Sequence, residues 1–146
     1  MKLFLATDHA AFEQKEEVKE FLKDLGHEVV DLGTSSSERA NYPEFAIKLA
    51  KSVVHANELG ILLCGSGIGV SMAANRFKGI RAALCRSTEE AKLSRQHNDA
   101  NVLCLGGRIS SMDEIKEMIT VWLKTDFEGG RHSERIALFN DIGEDV

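Results

Sequence analysis

The sequence of 146 residues has little of several residue types that define whole classes of protein. It contains three cysteines, an odd number with no CxxC pair, so neither a disulfide framework nor a zinc site is predicted. There is one proline, and no apolar run approaches the ~20 residues that a membrane-spanning helix needs. Basic residues are outnumbered, with 18 Lys and Arg against 23 Asp and Glu. The resulting net charge of −5 argues against general nucleic-acid binding.

What is present is the composition of an ordinary globular protein, 43% hydrophobic and 28% charged. A chain of this length is expected to fold as one domain over residues 1–146. Its first residues reach an acid, Asp8, too early for the apolar region of a secretory signal. We therefore expect a cytoplasmic protein with no membrane partner.

Strand and helix patterns alternate along the chain. Short apolar runs predict strands near 2–7, 27–32, 59–63, 80–84 and 101–105. Apolar residues at helical spacing predict helices near 10–25, 44–55, 70–77, 87–96, 111–123 and 132–142, with Pro43, Ser87 and Ser111 at three of the starts. This alternation predicts an α/β fold, a three-layer αβα sandwich around a five-stranded parallel sheet. The apolar residues of 44–55 cover more than one face, which favours an additional contact with a second subunit.

The stretch with the most chemical character is CGSGIG, from Cys64 to Gly69. Its three glycines let the backbone approach a ligand closely, and N–H groups at the start of the following helix favour an anion. A cysteine beside such N–H groups is favoured as a thiolate. The stretch therefore predicts a base or nucleophile, Cys64, next to an anion hole. Cys85 and Cys104, in contrast, are interpreted as small buried apolar residues.

The glycine pattern does not predict a dinucleotide site. It is GxGxG rather than GxGxxG, and it follows the third strand, whereas a dinucleotide fingerprint follows the first. No acid stands about 20 residues further on to bind a ribose hydroxyl. NAD is therefore not expected.

Polar residues follow other predicted strands as well. Asp8-His9, Cys85-Arg86-Ser87 and Gly106-Gly107-Arg108 all stand at strand ends. In open parallel sheets, ligands bind outside the carboxyl ends of the strands. These segments are therefore expected to share one rim with Cys64.

Two further groups have alternative interpretations. His97, in the run Gln96–Asn101, belongs either to a helix C-cap or to a proton-transfer site. Arg131 and Arg135 stand one helical turn apart at a predicted helix start, where cations oppose the helix dipole. They are either solvated beside Glu134 or bind an anion such as phosphate.

Several motifs together resemble the type B ribose-5-phosphate isomerases, a group that also contains galactose-6-phosphate and allose-6-phosphate isomerases. The motifs are Asp8–Phe12, Tyr42-Pro43, Cys64–Gly69, Ala73–Arg76, Gly79–Ala82, Ser94–Asn101 and Gly129–His132. The resemblance spans nearly the whole chain. It implies a Rossmann-like fold and metal-free aldose–ketose isomerisation of ribose 5-phosphate, a step of the pentose phosphate pathway, without a cofactor. It also implies a homodimer or homotetramer whose active sites are shared between subunits.

The resemblance also implies roles for individual residues. Cys64 is similar to the base that moves a proton between C2 and C1, and family members that lack it carry a glutamate where this chain has Val70. His97 with Asp8 is similar to the ring-opening pair, and Ser66 to a relay for the hydroxyl proton. The residues implied to bind substrate are Gly65, Gly67, Ile68 and Gly69 at the enediolate, Tyr42 and Asn98 at sugar hydroxyls, and His9, Arg131 and Arg135 at the phosphate, with Arg108 reaching in from the partner subunit.

Two other functions stay open at this point. A hexose 6-phosphate, of allose or galactose, is an alternative substrate, because a rim loop can lengthen the pocket without touching the motifs. A non-catalytic module that binds a sugar phosphate or nucleotide would use the glycine loop and the arginines but need no thiol. No cluster with metal-ligand spacing is apparent in the sequence, so no metal site is predicted.

Overall fold

The computed structural model describes all residues from Met1 to Val146. Its five strands are β1 Lys2–Thr7, β2 Glu28–Asp31, β3 Leu59–Cys64, β4 Ala82–Leu84 and β5 Val102–Gly106. Its six α-helices are α1 Phe12–Asp24, α2 Tyr42–Ala56, α3 Ile68–Ala74, α4 Thr88–Asn98, α5 Met112–Lys124 and α6 Arg131–Ala137. A short 3-10 turn, His9–Ala11, joins β1 to α1.

The five strands form one parallel sheet in the order β2-β1-β3-β5-β4. The predicted five-stranded parallel sheet is therefore confirmed. The three central strands are almost completely buried, whereas β2 and β4 at the two edges are only half-buried. Burial on both faces explains why the central strands read as continuous apolar runs.

The two faces of the sheet are covered by different helices, which confirms the αβα layers. Alternate strand residues such as Leu5, Ile61 and Leu103 pack against α1, α4 and α5 in one core cluster. Their neighbours in sequence, including Leu62 and Cys64, face the opposite way and pack with α2 and α3 in a second cluster. The reactive cysteine predicted from sequence thus lies on the α2–α3 side of the sheet.

A proline and two side-chain caps mark three of the helix starts as predicted. Pro43 lies in the first turn of α2, where a missing N–H costs nothing. The Ser87 Oγ accepts a hydrogen bond from the Glu90 N–H at the start of α4. Ser111 and Glu114 form a reciprocal capping box at the start of α5.

Two helix boundaries differ from the prediction. α3 covers residues 68–74 and not 70–77, because the turn after the glycine loop is already helical at Ile68. α6 ends at Ala137 and not near Ile142. The Asn140 carbonyl accepts a hydrogen bond from the Gly79 N–H, and its side chain accepts one from Arg81, so these groups hold the chain away from a continued helix.

No helix is both long enough and apolar enough to cross a membrane.

Candidate active site

The glycine loop holds Cys64 at the carboxyl end of the central strand β3. Its side chain is almost buried, at 5% exposure. The Gly67 N–H donates a hydrogen bond to the Cys64 Sγ over 3.0 Å. This donor is aligned because Gly67 takes a φ of +80°, in the left-handed region that glycine adopts without strain. The loop therefore directs a backbone donor at the sulfur.

Close backbone approach explains two of the loop glycines. A Cβ on Gly67 would lie 2.8 Å from the Leu105 carbonyl carbon of β5. A Cβ on Gly69 would lie 2.5 Å from the Tyr42 ring, which comes from the first turn of α2. The loop is thus packed between β5 and Tyr42, and its backbone is exposed only toward the rim of the sheet.

Several N–H groups of the loop have no acceptor within the chain. Gly65 and Ser66 lie between β3 and α3, and neither N–H donates to a backbone or side-chain group. The Ser66 Oγ accepts a hydrogen bond from the Ile68 N–H over 3.1 Å, which fixes the shape of the loop. Free N–H groups can donate hydrogen bonds to an oxyanion that forms beside the thiol.

Asp8, His9 and Tyr42 line one cavity of about 530 Å³ beside this loop. Asp8 is nearly buried, and its carboxylate accepts a hydrogen bond from the Ala10 N–H over 2.9 Å. His9 is held through its Nδ1, which lies 3.1 Å from the donating N–H of Ala40. The structure thus brings these three predicted site residues together on the carboxyl edge of the sheet.

Arg108 lies on the same edge of its own chain. The sequence resemblance implies that it reaches the site from a partner subunit. Its own backbone N–H donates to the Gly65 carbonyl over 3.0 Å, because β5 pairs with β3 and both end here. Its side chain packs against Gly65, 3.4 Å from where a Cβ would stand. Arg108 is therefore already part of the Cys64 rim of its own chain.

His97 and Asn98 lie at the opposite, amino edge of the sheet. Both are at the end of α4, which returns from the carboxyl end of β4 toward the start of β5. One strand of five residues, about 17 Å, separates the two edges. Within one chain His97 is therefore not near Asp8, and their pairing stays a prediction for a site shared between two subunits. Asn98 instead lines a separate cavity of about 390 Å³ with Arg81 and Phe139.

His97 has two neighbours that the sequence analysis did not assign to the site. Its Nε2 lies 3.4 Å from the Glu128 carboxylate, and its ring stacks on that of His132 at 4.4 Å between centroids. Glu128 and His132 stand one helical turn apart around Gly129-Gly130. The spacing of four residues between Glu128 and His132 is visible in the sequence. No sequence pattern indicates that these two residues contact His97 at the end of α4.

Arg131 and Arg135 lie on α6, one before and one after His132, and both are exposed. His132, between them, is 7% exposed. Burial, followed by the charges of His97 and Arg131, lowers the pKa of His132, while Glu128 acts in the opposite direction.

The predicted site residues of one chain fall into two groups. The thiol group comprises Cys64, Gly65, Ser66, Gly67, Ile68, Gly69, Asp8, His9, Tyr42 and Arg108, and the histidine group comprises His97, Asn98, Arg131 and Arg135.

The interpretation of the other two cysteines as buried apolar residues is confirmed. Cys85 and Cys104 are 1% and 0% exposed and belong to the two core clusters. Burial raises the pKa of the Cys85 thiol to about 11, and it also raises the pKa of Cys104. Neither thiol has the hydrogen-bond donor that Cys64 receives from the glycine loop.

Comparison with known proteins gives consistent results. Residues 3–139 match the model of the Ribose/Galactose Isomerase family. The chain is 45% identical to ribose-5-phosphate isomerase B of Escherichia coli over 97% of its length and 95% of that protein. Ribose-5-phosphate isomerase B of Clostridium thermocellum superposes with a TM-score of 0.95 at 42% identity, with 96% and 95% of the two chains covered. The Mycoplasma genitalium enzyme, solved with bound ribulose 5-phosphate, superposes with a TM-score of 0.90 at 44% identity, with 94% and 92% covered.

Proposed function

Because the chain belongs to the ribose/galactose isomerase family, we propose that it interconverts ribose 5-phosphate and ribulose 5-phosphate through an enediolate. The observation that carries the proposal is the Cys64 thiol, hydrogen-bonded to Gly67 and next to two free N–H groups. Relatives that carry this activity in their names, and the ribulose 5-phosphate bound to the Mycoplasma genitalium enzyme, support the choice of a pentose. The reaction then belongs to cytoplasmic sugar metabolism.

Cys64 acts as the base in this mechanism. As a thiolate it removes the proton from C2 of the open-chain aldose, and the electron pair moves into a C1–C2 double bond. The resulting enediolate oxygens accept hydrogen bonds from the N–H groups of Gly65 and Ser66. Cys64 then returns the proton to C1, while Ser66 relays the hydroxyl proton from one oxygen to the other. No atom is gained or lost, and no cofactor takes part in these steps.

A complete site needs two copies of the chain. His97 opens the sugar ring, Asn98 contacts a sugar hydroxyl, and Arg131 and Arg135 bind the phosphate. These residues lie about one strand length from the thiol of their own chain. In the proposed homodimer they come from the partner and face the Cys64, Asp8 and His9 of the first chain.

Exposed apolar side chains support such a dimer. Ile68 and Met72, one turn apart on α3, are 44% and 66% exposed, and Ile47 on α2 is 37% exposed. Leu138 and Ile142, in the segment after α6, are 80% and 72% exposed. Large apolar residues grouped this way are typical of subunit interfaces.

The test is the kcat/KM for ribose 5-phosphate in the wild type and in Cys64→Ser. Loss of the base is expected to reduce kcat/KM by roughly 10²–10⁴-fold while substrate binding is largely kept. Cys85→Ala is the matched control, since that thiol is buried away from the loop. Wild-type turnover by Cys64→Ser would contradict the mechanism. A higher kcat/KM for allose 6-phosphate or galactose 6-phosphate would move the substrate to a hexose and leave the reaction type standing.

A further inference from the structure

Three metal-ligating side chains converge at the amino edge of the sheet. The His97 Nε2 lies 3.4 Å from the Glu128 Oε1, and the His132 Nε2 lies 3.7 Å from the same oxygen. The ligand atoms of all three residues lie within 4.8 Å of one another. They come from the end of α4, from the loop before α6 and from α6 itself.

The backbone holds these side chains in place. The Glu128 N–H donates to the Gln96 carbonyl over 3.0 Å, which ties the loop to the last turn of α4. The Arg95 side chain adds a second tie, donating to the Thr125 carbonyl over 3.3 Å. The two imidazole rings stack with an angle of 15° between their planes. The backbone of the three residues is therefore already in place when a ligand binds, and the change needed is a rotation of one ring.

The spacing fits a tetrahedral ion. Zinc takes imidazole nitrogen and carboxylate oxygen at about 2.0–2.2 Å, which places neighbouring ligands of a tetrahedron about 3.4 Å apart. The two Nε2–Oε1 separations, 3.4 and 3.7 Å, are close to that spacing. The rings are nearly parallel in the free protein, and an imidazole binds a metal in its own plane, so the ring of the more exposed His97 turns for both nitrogens to reach one ion.

Access and charge set the strength of the site. The side chains of His97 and Glu128 are 39% and 50% exposed, so an ion can enter from solvent, whereas His132 is buried at the base. Arg131 and Arg135 on the same helix repel a cation. Binding in the micromolar range is therefore expected, weaker than in a closed structural zinc site.

We propose that His97, Glu128 and His132 bind a divalent transition-metal ion, with zinc as the best fit and water in the fourth position. The ion is coordinated by the Nε2 of His97, which can then no longer exchange a proton with the sugar. Zinc therefore inhibits isomerisation. This second statement rests on the proposed function, which assigns ring opening to that imidazole. The binding site itself does not depend on it.

Zinc binding is measured by competition with a chromophoric chelator. Wild type, His55→Asn and Cys64→Ser are expected to bind about one zinc per chain, because His55 is a histidine elsewhere on the surface and Cys64 is not a ligand. Glu128→Gln and His132→Asn are expected to bind at least about tenfold more weakly. Glu128→Gln is the cleaner variant, since the exposed position tolerates substitution. Equal zinc affinity in Glu128→Gln and wild type, or loss of zinc in Cys64→Ser, would overturn the site.

The activity assay separates the site from the proposed function. Zinc is expected to inhibit wild-type turnover of ribose 5-phosphate, EDTA to restore it, and Glu128→Gln to need at least about tenfold more zinc for half-inhibition of its own activity. Zinc bound at the three residues without loss of turnover would overturn the inhibitory role. Zinc binding by a protein with no isomerase activity would contradict the proposed function and leave the metal site standing. Full isomerase activity in a protein that binds no zinc would contradict the metal site and leave the proposed function standing.

Discussion

The thiols of Cys64 and Cys85 each stand at or just after a strand end, yet their surroundings give them different chemistry. The Cys64 Sγ accepts a hydrogen bond from the Gly67 N–H in the glycine loop. Burial raises the pKa of Cys85 to about 11, so that thiol stays protonated at neutral pH. The two strand-end thiols therefore differ in their surroundings, with a donor from the glycine loop at Cys64 and burial as the largest influence at Cys85.

Alkylation distinguishes the thiols directly. At pH 8, iodoacetamide is expected to modify Cys64 while Cys85 and Cys104 stay unmodified, because burial raises the pKa of both. Peptide mass spectrometry over time measures the three rates. In urea all three cysteines are expected to react, which controls for intrinsic reactivity. Modification of Cys85 as fast as Cys64 in the folded protein would contradict this prediction.

Lys15 is a second residue whose surroundings decide its role. It is completely buried, and its ammonium group donates to both Asp31 oxygens at 2.9 and 2.7 Å and to the Thr34 carbonyl at 2.8 Å. Burial opposes ionisation of Asp31, but hydrogen bonds from Lys15, the Gly33 N–H and Lys19 together lower its pKa. The pair fastens α1 to the end of β2 on the carboxyl edge.

The lowered pKa of Asp31 gives a stability that depends on pH with a definite sign. Its contribution is fully present above the unfolded-state pKa, about 3.9, and is lost as the pH falls through the lower folded-state pKa. Asp31→Asn leaves a buried cation short of its partner, and a loss of roughly 3 kcal/mol in unfolding free energy is expected at pH 7. Urea unfolding from pH 7 down to pH 3 measures it.

Asp24→Asn, an exposed carboxylate at the end of the same helix, is the control and is expected to change little. The difference between Asp31→Asn and wild type should shrink at the acid end of the series. A difference that stays constant with pH would mean that the carboxylate charge is not what stabilises Lys15.

At the scale of elements, α2 and α3 meet across Gly69 and Tyr42. Alanine is favoured over glycine in a helix by about 1 kcal/mol, but a Cβ at Gly69 would lie 2.5 Å from the Tyr42 ring. The ring is 40% exposed and can move outward. The cost of Gly69→Ala should therefore appear in activity, through displacement of Tyr42, more than in stability.

A double-mutant cycle tests that coupling. Gly69→Ala is expected to lower kcat/KM roughly tenfold in the wild-type background and to have little further effect in Tyr42→Ala. The melting temperature of each variant shows whether the fold is intact. Equal losses in both backgrounds would mean that Gly69 acts on the substrate without Tyr42.

Most elements could be predicted from sequence because their patterns are local. The apolar run 59–63 followed by three glycines identified β3, its loop and Cys64. The end of α6 could not be predicted, since it depends on hydrogen bonds between Asn140 and the distant Gly79 and Arg81. The resemblance pairs His97 with Asp8 in a shared site, and the position of His97 shortly before β5 places it at the amino edge of its own chain. The contact of His97 with Glu128 and His132 joins segments that share no local pattern.

At the scale of the whole molecule, the division of the site between the two edges of the sheet predicts complementation between inactive chains. Cys64→Ser and His97→Asn are each expected to be inactive alone. In a mixed dimer, one site combines the intact Cys64 of one chain with the intact His97 of the other. Equal mixing after unfolding and refolding should therefore restore about one quarter of wild-type turnover.

Refolding each variant alone is the control, and size-exclusion chromatography with light scattering confirms the dimer. Met72→Glu, on the exposed face of α3, is expected to shift the protein to monomers and abolish the recovery. No recovery from well-folded mixed dimers would mean that both residues act within one chain.

The strand order β2-β1-β3-β5-β4 also has a consequence for synthesis of the chain on the ribosome. β4 is made before β5, yet β5 is its only neighbour in the sheet. Until Val102–Gly106 has emerged, β4 has nothing to pair with, and β3 presents one unpaired edge with the apolar residues Ile61, Leu62 and Leu63. Such edges are templates for aggregation. A nascent chain that stalls after β4 and before β5 therefore exposes an incomplete sheet with an unpaired apolar edge. Rapid elongation through this interval shortens the time in which that edge can aggregate.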